Sequence, residues 1–229
     1  MWQELRIKNS KPMEKLKREF FLEPTLKVAS RLLGKLLLHE TPEGTAAGMI
    51  VETEAYIGPY DDGAHSYGGR RTERTEIQFG PGGFAYVFPI YGMYNCFNAV
   101  CGPEEKPEVV LIRALEPVSG IELMQKRRGR DNPKDLCSGP GKLCDALKIT
   151  REEYGLSLCE SSLRIENYRE FENSEILVSP RINIDYAEKC RDYPWRFFVK
   201  DNPCVSKVNK RFKPVGNLQE LIENGIIKY

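Results

Sequence analysis

Apolar residues recur at the three- to four-residue spacing of a helix in a few short segments of the chain. The clearest stripe lies between Pro24, which suits the first turn of a helix, and Gly34, which ends one. Comparable spacing occurs in three further segments. Helices are therefore predicted at residues 24–33, about 118–128, 140–148 and 218–224.

Other segments alternate between apolar and polar positions or are rich in β-branched and aromatic residues, as strands are. A Pro- and Gly-containing turn at residues 41–44 separates the first two of them. Residues 57–83 are rich in Gly and Pro without periodicity, which predicts a long, functional loop. Strands are predicted at residues 35–39, 46–56, 84–88, 94–100 and 109–115.

No internal repeat or linker divides the chain, and its 229 residues suffice for one large core. The fold class expected is mixed α/β (α+β) in a single compact domain. Residues 1–19 are polar and Lys-rich, so we expect an N-terminal segment there, a domain over 20–213 and a C-terminal extension over 214–229.

The composition excludes several protein classes. The hydrophobic content of 41% is that of an ordinary globular protein, and no apolar run approaches the length of a membrane span or a signal peptide. The seven cysteines form no CxxC pair, and their odd number argues against a disulfide framework. We expect a soluble intracellular protein without a metal or other cofactor.

The net charge of +1 does not by itself indicate a nucleic-acid-binding protein, but the charges are unevenly distributed. Residues 126–148 and 189–213 are rich in Lys and Arg, whereas residues 151–175 are rich in Glu. Such asymmetry can give a neutral protein one basic face, although a charge run can also be ordinary solvated surface.

The predicted strand 46–56 carries the first candidate for catalysis. Because side chains alternate along a strand, Glu52, Glu54 and Tyr56 share one face. A carboxylate beside an aromatic ring can hold a planar ligand and activate a water, which makes Glu54 a candidate general base. Glu52 is an alternative that lies farther from the long loop, and either residue could instead be an ordinary surface glutamate.

The two histidines differ in their surroundings. His39 ends a predicted strand and is expected to be exposed, whereas His65 lies in the glycine-rich loop. Together with Glu52, Glu54 and Asp61, His65 could form a metal-dependent hydrolase site. A lone histidine in such a loop is more often a hydrogen-bonding residue, and this interpretation is preferred.

Two residues near a predicted hairpin could read DNA. Tyr91 lies at the hairpin tip, where it could insert between base steps as a wedge or fold back on the core. Asn98 on the following strand could contact a base edge through its amide, or it could be a satisfied core residue.

Two further segments carry candidate residues. Arg113 is predicted to share a buried strand face with Val109, Leu111 and Leu115. Residues 138–142, Ser-Gly-Pro-Gly-Lys, precede a helix and could offer backbone N–H groups and a lysine to a phosphate, although they do not form a P-loop.

Taken in order, several segments resemble the alkyladenine (3-methyladenine) DNA glycosylase family over residues 24–206, most of the chain. The matching segments are Ile50–Tyr56, Ala64–Ser66, Gly69–Thr72, Ile90–Tyr94, Leu111–Pro117, Cys137–Leu143, Pro180–Ile182 and Pro194–Phe197. No single segment is specific, but the ordered set is. The resemblance implies a curved antiparallel sheet with surrounding helices and a protruding β-hairpin.

The resemblance also implies an activity and its residues. Glu54 would activate the attacking water and Arg113 would help to position it. Tyr91 would fill the gap that a flipped base leaves in the duplex. The remaining implied base-pocket residues are Tyr56, His65, Phe88 and Asn98, of which Asn98 would exclude the 2-amino group of normal guanine. Gly141 and Lys142 are expected to contact phosphate.

The implied reaction is base-excision repair of double-stranded DNA. Alkylated or deaminated purines such as 3-methyladenine, 7-methylguanine, hypoxanthine and ethenoadenine would be flipped out and hydrolysed from the sugar, leaving an abasic site. A monomer in the cytoplasm and nucleoid, or in a nucleus if eukaryotic, fits that activity. Better-known relatives carry Tyr at Phe88 and an aliphatic residue at Pro89. The alternatives are a non-catalytic nucleic-acid-binding module and an interaction protein anchored by Tyr91.

Overall fold

An antiparallel sheet organises the chain in the computed structural model, which describes residues 13–90, 92–207 and 212–229. Its strands are β1 Leu36–Thr41, β2 Gly44–Ile57, β3 Ala85–Ile90, β4 Tyr94–Cys101, β5 Glu108–Ser119, β6 Leu163–Glu166, β7 Ile176–Ser179, β8 Arg196–Val199 and β9 Gly216–Asn217. The strand order is β3-β4-β5-β2-β8-β7-β9, and β1 pairs with both β2 and β6. Every strand pair is antiparallel.

Helices pack against this sheet. They are α1 Arg18–Phe21, α2 Thr25–Arg31, α3 Ile121–Arg128, α4 Pro133–Leu136, α5 Pro140–Leu147 and α6 Leu218–Glu223. Short 3₁₀ turns lie at Tyr67–Gly69, Glu76–Phe79, Arg151–Glu153 and Asn173–Glu175. The predicted mixed α/β fold class in a single compact domain is confirmed.

The long strand β2 runs through the centre of the sheet, where it pairs with β1, β5 and β8. Its predicted alternation is confirmed, because Val51 and Ala55 pack into the main core while Thr53 donates to the carbonyl of Ala29 in α2 at 2.8 Å. The opposite face therefore turns Glu54 and Tyr56 away from the helices.

Strand β5 contains a β-bulge at Arg113, which changes the predicted orientation of the residues around it. Glu52 pairs with Ala114 and Thr53 with Ile112, so Arg113 stands opposite no residue of β2. Such an extra residue reverses the alternation that follows it, and it re-aims its own side chain. Leu115 consequently packs into the main core. The predicted placement of Leu115 on the same face as Arg113 is therefore wrong.

The predicted helix over 118–128 begins later than expected. Strand β5 continues to Ser119, and Gly120 adopts a left-handed conformation with φ of 69° that turns the chain into α3. A Cβ at this position would lie 2.3 Å from the carbonyl oxygen of Thr45, so only glycine fits here. The helices predicted at 24–33, 140–148 and 218–224 are confirmed as α2, α5 and α6.

The expected exposure of His39 is wrong. Its side chain is buried in β1, with Nδ1 at 2.8 Å from the Leu147 carbonyl oxygen and Nε2 at 3.8 Å from a Glu153 carboxylate oxygen. The end of α5 covers this strand end, a long-range contact that the local pattern around His39 does not encode.

The predicted C-terminal extension contributes to the same sheet. Strand β9 pairs with β7, while Leu218 and Leu221 of α6 are buried in the main core. The Tyr229 hydroxyl lies 3.0 Å from the Ser30 hydroxyl in α2. Within the described ranges, no helix is long and apolar enough to span a membrane.

Candidate active site

A cavity of about 420 Å³ opens between the end of β2, the β3–β4 hairpin and the loops that follow β2 and β7. Its volume falls within the range of about 300–1,000 Å³ that is typical of small-molecule sites. Aromatic rings form much of its wall. The residues of its lining that bear on the chemistry are Tyr56, His65, Arg74, Tyr86, Phe88, Asn98, Arg113, Gly141 and Ile182.

Glu54 lies directly behind this lining and is fully buried, with an exposed fraction of 0%. Its Oε2 accepts from the Tyr56 hydroxyl at 2.8 Å and from Arg113 Nη1 at 3.3 Å. Its Oε1 accepts from the backbone N–H of Ile182 at 2.8 Å. All three donors line the cavity, so the carboxylate is one residue layer from its space and is held in a fixed orientation.

Glu52, the alternative candidate, serves a different network. Its Oε1 accepts from Arg113 Nε at 3.2 Å and from Arg196 Nε at 2.7 Å. The Ser206 N–H and hydroxyl each donate to the same carboxylate at 2.8 Å. Burial by itself would raise the pKa of Glu52, but the charges of Arg113 and Arg196 hold it below its ordinary value. Glu52 therefore neutralises the cations that frame the site.

Arg113 connects the two carboxylates. Burial opposes its charge, yet Glu54 and Glu52 raise the pKa of its guanidinium well above the ordinary value. Arg113 binds Glu52 through Nε and Glu54 through Nη1. The bulge in β5 therefore fixes the position of its guanidinium relative to both carboxylates. The structure thus brings Arg113 and Glu54 together beside the cavity.

Tyr56 presents its ring to the cavity with a cation behind it. The Arg181 guanidinium lies 4.6 Å from the ring centroid of Tyr56 and forms a bidentate ion pair with the buried Asp61. Burial, then the charge of Glu54, raises the pKa of the Tyr56 hydroxyl well above its ordinary value. The hydroxyl therefore remains protonated and serves as a donor to Glu54.

His65 contributes a second ring to the wall. It packs edge-on against Phe88 with ring centroids 4.6 Å apart, and its Nδ1 lies 2.9 Å from the Tyr86 hydroxyl. Burial, and then the positive charges of Arg74 and Arg70, lower the pKa of His65 to about 4. The imidazole is thus neutral at physiological pH, which suits a stacking surface.

Asn98 also reaches the cavity, although it is buried in β4. Its Nδ2 donates to the backbone carbonyl of Tyr86 at 3.1 Å, across the β3–β4 pair. This bond fixes the plane of the amide. Phe88 lies two residues farther along β3, so the hairpin supplies both an aromatic and an amide group to one cavity.

The residues predicted to contact DNA lie in different surroundings, and one of them lies outside the described ranges. Tyr91 lies outside the described residues, between the ends of β3 and β4. Gly141, at the start of α5, lines the cavity, and a Cβ there would lie 3.0 Å from Tyr94 Cβ. Lys142 is exposed and donates to the Ser138 hydroxyl at 3.2 Å. Some cations of the basic segment are paired, as Arg128 is with Asp145 at 2.9 Å.

The residues suggested for a metal site do not converge. In the part of the chain that the structure describes, the one group of three potential ligands is Asp61, Asp62 and Cys190, which excludes Glu54 and His65. Asp61 is already bound to Arg181, and Asp62 accepts three backbone N–H groups from residues 188–190. These carboxylates therefore serve to join two loops.

Sequence reasoning missed the partners that hold the site. Arg181 and Ile182 fall in a segment that matched the family, yet nothing in their spacing indicates contact with Tyr56 and Glu54 more than 120 residues earlier. Arg196 and Ser206 were similarly unassigned. The sequence indicates only that such partners must exist, because a buried carboxylate requires a cationic or N–H partner somewhere in the chain.

Comparison with known proteins identifies the family. The sequence model of the family described as Methylpurine-DNA glycosylase (MPG) matches residues 19–203, most of the chain. A Bacillus cereus protein named "Putative 3-methyladenine DNA glycosylase" is 52% identical over 198 residues, covering 82% of this chain and 97% of that protein. A Clostridium novyi protein of the same name is 49% identical over 204 residues, covering 85% and 100%. The chain therefore belongs to the methylpurine-DNA glycosylase family and is a DNA glycosylase.

Proposed function

We propose that the protein flips alkylated or deaminated purines out of duplex DNA and hydrolyses their N-glycosidic bonds with a water that Glu54 activates. The observation that carries this proposal is the position of Glu54. It is a fully buried carboxylate whose three hydrogen-bond donors all line one aromatic-walled cavity. The substrates are 3-methyladenine, 7-methylguanine, hypoxanthine and ethenoadenine.

Base flipping brings the glycosidic bond to Glu54. The target atom is unreachable inside the stack, and a lesion that pairs poorly costs less to extrude. Tyr56, His65 and Phe88 offer ring surfaces on which the extruded purine stacks. Tyr91 enters the duplex in place of the base and delays its return.

Cleavage of the bond builds positive charge on the sugar as the base leaves. The Glu54 anion stabilises this charge and orients the attacking water. Arg113 holds the carboxylate in place through Nη1, and its position at the cavity wall lets it orient the same water. Water as the nucleophile makes the enzyme monofunctional, because no Schiff base forms and the strand is not cut.

Asn98 supplies discrimination against normal guanine. Its amide is fixed by the bond to Tyr86, so it cannot swing away from a 2-amino group without losing that bond. At the start of α5, Gly141 and Lys142 contact a phosphate of the substrate strand. We propose that the protein acts on double-stranded DNA as a monomer, which suits sliding along the duplex.

Single-turnover incubation with two DNA substrates tests this proposal. One is a duplex with a single hypoxanthine, the other is methylated DNA, and both reactions contain EDTA. We expect release of free base and an abasic site that breaks only after alkali treatment. Release of no base from either substrate would contradict the proposal, and strand cleavage without alkali would contradict the water nucleophile.

A further inference from the structure

Arg74 contacts the side chains of His65 and Phe88 in the cavity, and neither the family resemblance nor the mechanism above assigns it a role. Its guanidinium lies 4.7 Å from the ring centroid of Phe88, and its Nη2 lies 3.1 Å from His65 Nε2 and 3.3 Å from His65 Nδ1. Arg74 is solvent-exposed, yet it lines the cavity.

These contacts determine what the wall presents to a ligand. A guanidinium only donates, so the His65 nitrogen that it bonds must carry a lone pair. With Nε2, the nearer nitrogen, as that acceptor, the His65 proton lies on Nδ1 and is donated to the Tyr86 oxygen at 2.9 Å. His65 in this tautomer offers the cavity a ring face without a free N–H, and Arg74 supplies N–H donors beside it.

The charge of Arg74 is also uncompensated. Arg113 is paired with Glu52 and Glu54, and Arg181 is paired with Asp61. Among the described residues, no carboxylate oxygen forms an ion pair with Arg74. Arg74 therefore adds net positive charge to the cavity wall. Bound DNA would cover this guanidinium and exclude water from it, so that water would screen its charge less.

We propose that Arg74 is a specificity-determining residue that favours neutral purine lesions with an edge acceptor, such as the carbonyl of hypoxanthine, over purines that carry a positive charge. Its free N–H groups donate to the acceptor in a charge-assisted bond. The same charge repels a ring-alkylated purine cation. This inference rests on the proposed function and names the substrate class that the cavity prefers.

The test compares the release of two kinds of base by wild type and by Arg74→Gln. Single-turnover rates are measured on a hypoxanthine duplex and, for 3-methyladenine and 7-methylguanine, on methylated DNA. Arg74→Gln is expected to lower the ratio of hypoxanthine to methylpurine rates by about tenfold, the size of effect of one charge-assisted hydrogen bond. Arg74→Lys keeps the charge and is expected to keep the slower release of methylpurines.

Arg70→Gln is the matched control, because Arg70 is a nearby cation that does not line the cavity. It should leave the ratio within about twofold of wild type. A ratio unchanged in Arg74→Gln would overturn this inference while leaving the proposed function intact. If Arg74→Gln slowed the release of both kinds of base equally and weakened the salt dependence of DNA binding, Arg74 would be assigned to a phosphate contact instead. If wild type releases neither kind of base, both proposals fail.

Discussion

Replacing Glu52 with Gln is expected to weaken the fold, even though Glu52 lies two residues from the proposed catalytic carboxylate. The substitution keeps the shape of the side chain but removes the charge that neutralises Arg113 and Arg196. The Ser206 N–H donates to Oε2 and the Ser206 hydroxyl to Oε1, so the N–H₂ group of Gln, which accepts no hydrogen bond, faces one of these donors without accepting from it.

The magnitude follows from the buried ion pairs. Removing one partner of a buried pair costs about 3–5 kcal/mol. Arg113 keeps Glu54 as a second carboxylate, and Arg196 keeps both the Ser179 hydroxyl at 2.8 Å and its stacking on the Phe198 ring, so the lower end of about 3 kcal/mol is expected. For a chain of this length each kcal/mol lowers Tm by about 2–4 °C, which gives a fall of about 6–12 °C.

Thermal unfolding followed by circular dichroism measures this change, with the exposed Glu122→Gln in α3 as the control. Because the pKa of Glu52 is lowered in the folded state, its contribution is fully present above the ordinary value of 4.5 and is lost as pH falls through the folded pKa. The Tm difference should therefore narrow below pH 4.5. A Glu52→Gln protein within about 2 °C of wild type at neutral pH would refute this reasoning.

Three further predictions concern the cavity and the hairpin. His65 has a pKa of about 4, so NMR should detect no protonation of its ring between pH 5.5 and 8, and a midpoint near 6.5 would contradict its burial. Since the unfolded chain binds that proton near 6.5, neutral His65 makes the fold less stable as pH falls from 6.5 toward 4. Tyr91→Ala should weaken lesion capture, and unchanged binding to an abasic duplex would argue against a wedge. Asn98→Ser should raise the release of normal guanine, and an unchanged guanine rate would remove that role.

Local pattern was sufficient where a segment's own residues decide its structure. The alternation of Glu54 and Tyr56 against Val51 predicted the orientation of β2, because one face of a strand must enter the core. Pro24 and Gly34 likewise bounded α2. By contrast, the bulge at Arg113 depends on how two strands align, and no periodicity within β5 alone specifies it.

The candidate site shows the same division. Glu54, Tyr56 and Arg113 were found from strand faces and from ordered resemblance, and the structure joins them by direct hydrogen bonds. The N–H of Ile182 and the guanidinium of Arg181 reach this site from a loop far along the chain. Their roles arise from tertiary packing, so the sequence marked the segment without indicating what it touches.

Glu54→Gln tests the central claim most directly. Single-turnover release of hypoxanthine from a duplex, with EDTA present, is compared among wild type, Glu54→Gln and the exposed control Glu122→Gln, while binding to an abasic duplex reports on folding. Because the amide cannot take a proton from water or stabilise the developing charge, Glu54→Gln should bind the abasic duplex normally and release no hypoxanthine, whereas Glu122→Gln should act as wild type. Release by Glu54→Gln near the wild-type rate would contradict the assignment of Glu54 as the general base.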